Sequence, residues 1–227
     1  MSRLSKLVYQ TINVSLFVQI ITTLISLDGF RYPVEPTDTI LKEILFIEVF
    51  VQFVEGFFYT WIIQGVHDFN LMTQRRYIDW SITTPVMLFS TILFFEYSKK
   101  KEQNNLEGFT SQQFYEENST NVQKLAIYNG LMLLFGYLGE AGLINKRVSI
   151  PIGFIFFFMS FELIYTEYAI YSDLGKQLFL VLFSIWFSYG VAAMFPPQLK
   201  NISYNMLDIV SKNFYGLYIY YKIRELQ

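Results

Sequence analysis

The chain of 227 residues is 53% hydrophobic and 19% aromatic but only 16% charged, whereas a soluble domain carries about 25% charge, so it reads as a membrane protein. Its net charge of −2 leaves no basic surface for nucleic acid. Cysteine is absent and the single histidine, His67, sits beside Asp68 and Asn70 in a polar connector, which excludes disulfides and thiolate chemistry and argues against a metal site, a catalytic triad or any enzyme activity.

Apolar runs long enough to cross a bilayer as helix, about 20 residues, recur near 8–28, 43–66, 73–97, 122–143, 150–171, 176–195 and 203–224. The expected architecture is an all-α membrane protein, one seven-helix domain over residues 1–227, integral and multi-pass in a lipid bilayer, with its termini on opposite sides. The opening "MSRLSKLVYQTINVS" has neither a compact apolar core nor a small-residue cleavage site, so no cleavable signal peptide is expected.

In the first span Thr11, Ser15, Gln19 and Thr22 fall at i, i+4, i+8 and i+11, and in the second Glu48, Gln52, Glu55 and Tyr59 fall at i, i+4, i+7 and i+11. Each set is a polar stripe on an otherwise apolar helix. For Thr11 and Thr22 the simplest reading is a hydroxyl bonded back to its own helix. Two intramembrane glutamates point instead to the bundle interior or a water-filled cavity, although Glu48 could equally serve to hold helices together.

The third span opens with "QRRYIDWSITTPVML", residues 74 to 88, a dense run of polarity in an apolar segment. Asp79 and Thr83 are four apart, so the hydroxyl is expected to hydrogen-bond the carboxylate, with Arg76 one turn outward to neutralise it. Residues 98–121 read as a long cytoplasmic loop between the third and fourth helices. Within it Thr110 and Gln113 have capping-box spacing for a short surface helix, a disordered linker being the alternative. On that side the acceptor pattern Asn118-Ser119-Thr120 would meet no glycosylating enzyme.

Loop charges orient the chain. With Arg75 and Arg76 set aside as candidate functional groups, nine lysines and arginines fall on one side and five on the other, which favours an extracellular N-terminus and a cytoplasmic C-terminus. The seventh span, "NISYNMLDIVSKNFYGLYIYY", places Asp208 and Lys212 on one face at mid-depth. A charge there is costly, roughly 2.5–3.5 kcal/mol on insertion scales. An internal ion pair is the plain explanation, but a lysine in a dry apolar pocket also suits Schiff-base chemistry.

"RRYIDWSITTPVML" closely resembles the third helix of microbial rhodopsins, and "LDIVSKNFYG" resembles their seventh. "GYLGEAG", residues 136 to 142, is similar to the fourth helix of proteorhodopsins, and "WFSYG", residues 186 to 190, resembles the sixth-helix motif with Gly190 in place of a proline. The resemblance covers all seven spans and implies a bundle enclosing all-trans retinal. It implies that Lys212 carries retinal as a protonated Schiff base, with Asp79 as primary counterion and proton acceptor, Asp208 as second counterion and Arg76 as their partner. Trp80, Trp186 and Tyr189 would sandwich the polyene, and Thr84, Pro85 and Met87 would line its pocket.

Outward proton pumps of this family usually carry a carboxylate about three turns inward of the acceptor. That position, eleven after Asp79, is Ser90, and serine supplies no proton at a useful pKa. Channelrhodopsins instead have a central gate of serine, glutamate and asparagine, which Ser15, Glu55 and Asn213 resemble in type and placement. Small viral rhodopsins combine a proteorhodopsin-like sequence with such a glutamate, and this chain resembles them.

The expected function is therefore a light-gated cation channel whose pathway includes Ser15, Glu48, Gln52, Glu55 and Asn213, carrying monovalent cations or protons. A light-driven outward proton pump and a sensory photoreceptor with a separate partner are the alternatives, and a homo-oligomer is left open. On this reading Glu55 hydrogen-bonds Asn213, and its replacement leaves the visible spectrum nearly intact.

Overall fold

The computed structural model describes residues 2–227. Helix α1 spans Arg3–Asp28, α2 Ile40–Ile63, α3 Phe69–Glu102, α4 Ser111–Glu140, α5 Lys146–Glu167 and α6 Asp173–Ala192. The seventh, here α7, is continuous but composite: α-helix over Pro197–Asp208, a π-helical segment Ile209–Asn213, then α-helix over Phe214–Arg224. Short 3₁₀ turns, Gly29–Arg31, Pro36–Asp38 and Ala169–Tyr171, sit in the connectors. Helix starts coincide with side chains able to accept from the first free N–H groups. Asp68 caps α3, Thr110 α4, Asn145 α5 and Ser172 α6.

The stripes seen in the sequence set how each helix is rotated. On α2, Glu48, Gln52, Glu55 and Tyr59 are buried while Phe46, Phe50, Phe53 and Phe57 point outward; Phe57 is 72% exposed and Glu55 is 0%. This polarity is the reverse of a soluble helix and is what a lipid-facing bundle requires. On composition alone α1, α3, α5 and α6 are apolar enough to span a membrane. In α2 and α7 that signal is diluted by acids and a lysine directed into the bundle, not at lipid. Helices α1 and α7 run parallel, since Asn205 donates to Thr11 near their starts and Tyr220 to Asp28 near their ends.

The loop expected over 98–121 is mostly helix. Helix α3 continues to Glu102 and α4 begins at Ser111, leaving residues 103–110 as the connector. Beyond the apolar stretch the helices are held by polar contacts. Lys99 pairs with Glu96 at 3.1 Å, Lys101 reaches Asp38 at 2.7 Å, and Lys100 lies over the Phe109 ring. Hydropathy reports only the lipid-crossing part of a helix, which is why these extensions looked like loop. Thr110 does cap a helix, accepting from Gln113 N–H at 3.2 Å, but that helix is α4 itself.

Candidate functional site

Lys212 lies in the π segment of α7 and is 2% exposed. Its Nζ meets three carboxylates from three helices: Asp79 Oδ2 of α3 at 3.1 Å, Glu55 Oε1 of α2 at 3.2 Å and Asp208 Oδ1 of α7 at 3.8 Å. Arg76 is fully buried behind them, donating to Asp208 Oδ2 at 2.8 Å, to Tyr59 at 3.3 Å, to Asn201 at 3.4 Å and to Asn205. Asp208 also accepts from Tyr59 at 2.5 Å and from Tyr189 at 2.7 Å. Three carboxylates thus face two cations, with hydroxyl and amide donors supplying the remaining stabilisation that buried charges need.

The polar stripe of α1 pairs rung by rung with its neighbours. Ser15 donates to Tyr59 at 3.2 Å, Gln19 Nε2 to Glu55 Oε2 at 2.9 Å, and Thr22 to Asn213 Oδ1 at 2.6 Å. The expected Ser15–Glu55–Asn213 cluster is therefore divided among three rungs. Antiparallel packing of α1 on α2 sets Gln19, not Ser15, opposite Glu55, and Asn213 donates back to Asp208 O while facing α1. Thr22 does bond back to Gln19 O at 3.0 Å as well. Thr11 bonds back to Leu7 O at 2.8 Å.

Two further expectations are corrected. Thr83 donates to the backbone oxygen of Asp79 at 3.0 Å and not to its carboxylate, because a hydroxyl four residues on reaches the preceding carbonyl first. Pro85 does not line the cavity beside Lys212; one residue past Thr84 it is turned about 100° around the helix.

That cavity is lined by Trp80, Thr84, Met87, Trp186, Tyr189 and Lys212, with Tyr77, Leu133, Gly136, Phe154, Phe157 and Gly190 among the other residues of its wall. Two glycines set its shape. A Cβ on Gly136 would lie 2.6 Å from the Tyr77 ring, and one on Gly190 would run into Phe154. Trp80 packs edge-on against Tyr189 and Tyr204, with ring centroids 5.4 and 4.9 Å away. An apolar, aromatic-walled cavity with a primary amine at its edge and acids behind that amine fits an elongated apolar aldehyde.

Away from Arg76, Ser90 donates to Glu48 Oε1. Several buried polar atoms there have no hydrogen-bond partner among the described residues: Glu48 Oε2, Gln52 Oε1 and Nε2, Gln19 Oε1 and Ser26 Oγ. Gln52 lies against the bare Cα of Gly216, where a Cβ would stand 2.5 Å from its Nε2. Sequence reasoning missed Asn201 and Asn205, whose spacing with Asp208, i, i+4 and i+7, was the available signal. It also missed the buried Lys200, which shares Glu140 with Lys146 at the end of the bundle nearest the N-terminus.

A family model described as "Bacteriorhodopsin-like protein" matches residues 10–226. A green-light absorbing proteorhodopsin from Gamma-proteobacterium EBAC31A08 is 27% identical over 167 residues, 65% of this chain and 60% of that protein, so the match spans under two thirds of the relative's length. Among solved structures, viral rhodopsin OLPVRII superposes with a TM-score of 0.82 at 25% identity, over 97% of this chain and 99% of that one. The blue light-absorbing proteorhodopsin from Med12 follows the same fold with a TM-score of 0.74 at 19% identity, over 96% and 97% of the two chains. Bromide-bound halorhodopsin from Halobacterium salinarum does so with 0.74 at 13%, over 97% and 95%. With the family model covering nearly the whole length, the chain belongs to the bacteriorhodopsin-like family, the microbial rhodopsins, and is an integral seven-helix membrane protein of that photoreceptor family.

Proposed function

We propose that this microbial rhodopsin is a light-gated cation channel with all-trans retinal attached at Lys212. Retinal would supply light absorption and a change of shape at that nitrogen. The chain does the rest. Asp79 Oδ2, 3.1 Å away, is placed to take a proton from the Lys212 nitrogen, and Asp208 is held by Arg76, Tyr59 and Tyr189 as a fixed counter-charge. Trp80, Trp186, Tyr189, Thr84 and Met87 form the cavity wall that excludes water from the apolar side.

The observation that carries the channel reading is the double engagement of Glu55. One of its oxygens pairs with Lys212, and the other accepts from Gln19 across the α1–α2 seam. A displacement at Lys212 therefore pulls directly on a contact that closes the polar seam between α1, α2 and α7. Below that contact, the unpartnered atoms of Gln19, Gln52 and Ser26 are groups that ordered water satisfies in protein interiors. Acidic groups in such a seam favour cations. The excess of basic residues at the α1–α2 and α3–α4 ends supports a cytoplasmic C-terminus.

Voltage-clamp recording of photocurrent against membrane potential tests this. A channel's current reverses sign near the ionic equilibrium potential. A current that stays outward against the applied potential would assign the chain as a proton pump instead.

A further inference from the structure

Helices α3 to α7 border the cavity beside Lys212, and polar contacts tie all but one of the seams between them. Asn129 of α4 donates to Thr84 of α3 at 2.7 Å, and Lys146 at the start of α5 pairs with Glu140 at the end of α4 at 2.8 Å. Tyr189 of α6 donates to Asp208 of α7 at 2.7 Å and shares a hydrogen bond with Ser211 at 2.7 Å. Lys212 itself ties α7 to Asp79 of α3 at 3.1 Å. Between α5 and α6 no hydrogen bond or ion pair is formed among the described residues. Rings fill that seam instead. Phe154 packs on Phe187 and Phe157 on Phe183, each with centroids 5.4 Å apart, and Phe161 packs on Trp186 at 5.8 Å.

Such a seam is weak inside a bilayer. Lipid tails are as apolar as phenylalanine, so packing these rings on one another gains little over leaving them against lipid. The short connector 168–172 joins α5 to α6 at one end, whereas at the other end α5 turns back to α4 and α6 runs on to α7. The two helices can therefore splay at the unjoined end, and Phe154 lies there. Half-buried, it lines the cavity from α5, while Phe158 and Val181 beside the seam are exposed on the lipid side. Gly190 of α6 faces the Phe154 ring with bare backbone, because a Cβ there, such as a proline carries, would run into the ring. The glycine thus leaves that ring room to turn.

We propose that the α5–α6 seam is the entrance by which an elongated apolar aldehyde passes from the bilayer to Lys212, with the Phe154 ring turning aside to admit it. The proposal rests on the reading of Lys212 as the retinal lysine and is independent of conduction. An aldehyde of this class dissolves in lipid, and its way from the seam to Lys212 runs across the cavity towards α7. The carbonyl end therefore enters first, and the other end comes to rest behind Phe154. From the end of the bundle nearest the N-terminus the approach is filled by Arg76 with Asn201 and Asn205. An apolar chain passing there would leave a buried charge unpaired, which is strongly unfavourable.

The chain has no cysteine, so a thiol pair can be placed across the seam without background. The test uses F158C/F183C, at two positions outside the cavity wall whose rings lie 6.4 Å apart. In retinal-free membranes a short bis-methanethiosulfonate reagent should link α5 to α6 in this variant. Retinal added to the linked protein should then give no visible band, and reduction of the linker should restore the band at the unlinked rate. Each single-cysteine variant carrying the same reagent should take up retinal normally. F154A should speed development of the band about tenfold, the factor expected when two ring contacts are lost from the closed seam. Uptake unaffected by the link, uptake still blocked after reduction, or a wild-type rate in F154A would each overturn the proposal. Failure of the wild-type chain to form a band would overturn the Lys212 assignment and the entrance with it, whereas a band formed at the normal rate in the linked protein overturns the entrance alone.

Discussion

Glu55 Oε1 lies 3.2 Å from Lys212 Nζ, so a glutamate of the second helix belongs to the charge cluster of that lysine at nearly the same ion-pair distance as Asp79, which alone of the two also accepts a hydrogen bond from it. The sequence suggested that replacing Glu55 would spare the spectrum, and this contact reverses that expectation. Two unit charges about 4 Å apart interact by about 4 kcal/mol at an effective dielectric of 20. Loss of a carboxylate beside the nitrogen destabilises the ground-state cation more than the excited state. E55Q should therefore shift the absorption maximum to longer wavelength, in the same direction as D79N. An E55Q spectrum that superposes on wild type would remove Glu55 from the cluster.

Replacing Lys212 by Ala should abolish the visible band after addition of retinal, since no other lysine borders the cavity. It should also leave three buried carboxylates with Arg76 as their only cation among the described residues, and breaking a buried pair costs about 3–5 kcal/mol. The retinal-free variant should melt at a lower temperature than wild-type opsin. Retention of a retinylidene band would contradict the assignment of Lys212.

Arg76 contacts Asp208, Tyr59, Asn201 and Asn205 at once with the forked geometry of a guanidinium. A lysine carries the charge but not the fork. R76K should recover little of the stability lost in R76A, about 3–5 kcal/mol for a buried pair broken on one side. Equal melting temperatures for R76K and wild type would show that charge alone suffices.

At Gly136 and Gly190 even one methyl group must displace an aromatic ring, Tyr77 and Phe154 respectively. Overpacking of this kind costs about 1–3 kcal/mol. G190A and G136A should bind retinal more slowly, measured as the rate at which the visible band develops in opsin membranes. Wild-type rates in both would indicate that the cavity wall is compliant.

Thr22 donates to Asn213, the chain neighbour of Lys212. T22V removes the donor and leaves the amide oxygen of Asn213 buried. Under the channel reading it should change the rate at which photocurrent decays after the light is turned off, with the dark absorption spectrum preserved. A decay time course identical to wild type would place the closing contact elsewhere.

Much of this arrangement was legible in residue spacing. The seven spans follow from the length of the apolar runs and the four-residue interval from Asp208 to Lys212 from which residues share a face, while the roles within the motif from Arg76 to Met87 were implied by the resemblance. What spacing does not carry is how far one helix has slid along another. Ser15 and Gln19 differ by a single turn, and that turn decides which of them meets Glu55. Nor does spacing say which oxygen of a residue one turn back a hydroxyl will choose: Thr83 was expected on the carboxylate of Asp79 and donates to its carbonyl. Residues 98–121 were misread for a separate reason, since helix persists there past the apolar stretch on ion pairs and ring contacts that hydropathy does not register.

The five-residue π segment that carries Lys212 acts as a dislocation in an otherwise regular lattice of backbone hydrogen bonds. Phe214 N–H bonds to Ile209 O, five residues back. Such a defect can migrate along a helix by exchanging one five-residue bond for a four-residue bond, without unwinding either flank. A pull on the lysine side chain can thus be taken up as a shift of the fault line, and the half of α7 beyond Asn213 would rotate as a unit. The rungs that Asn213 and Tyr220 make with α1 lie on that half or at its border, so under the channel reading such a shift would turn a local tug into a twist of one helix against its parallel neighbour.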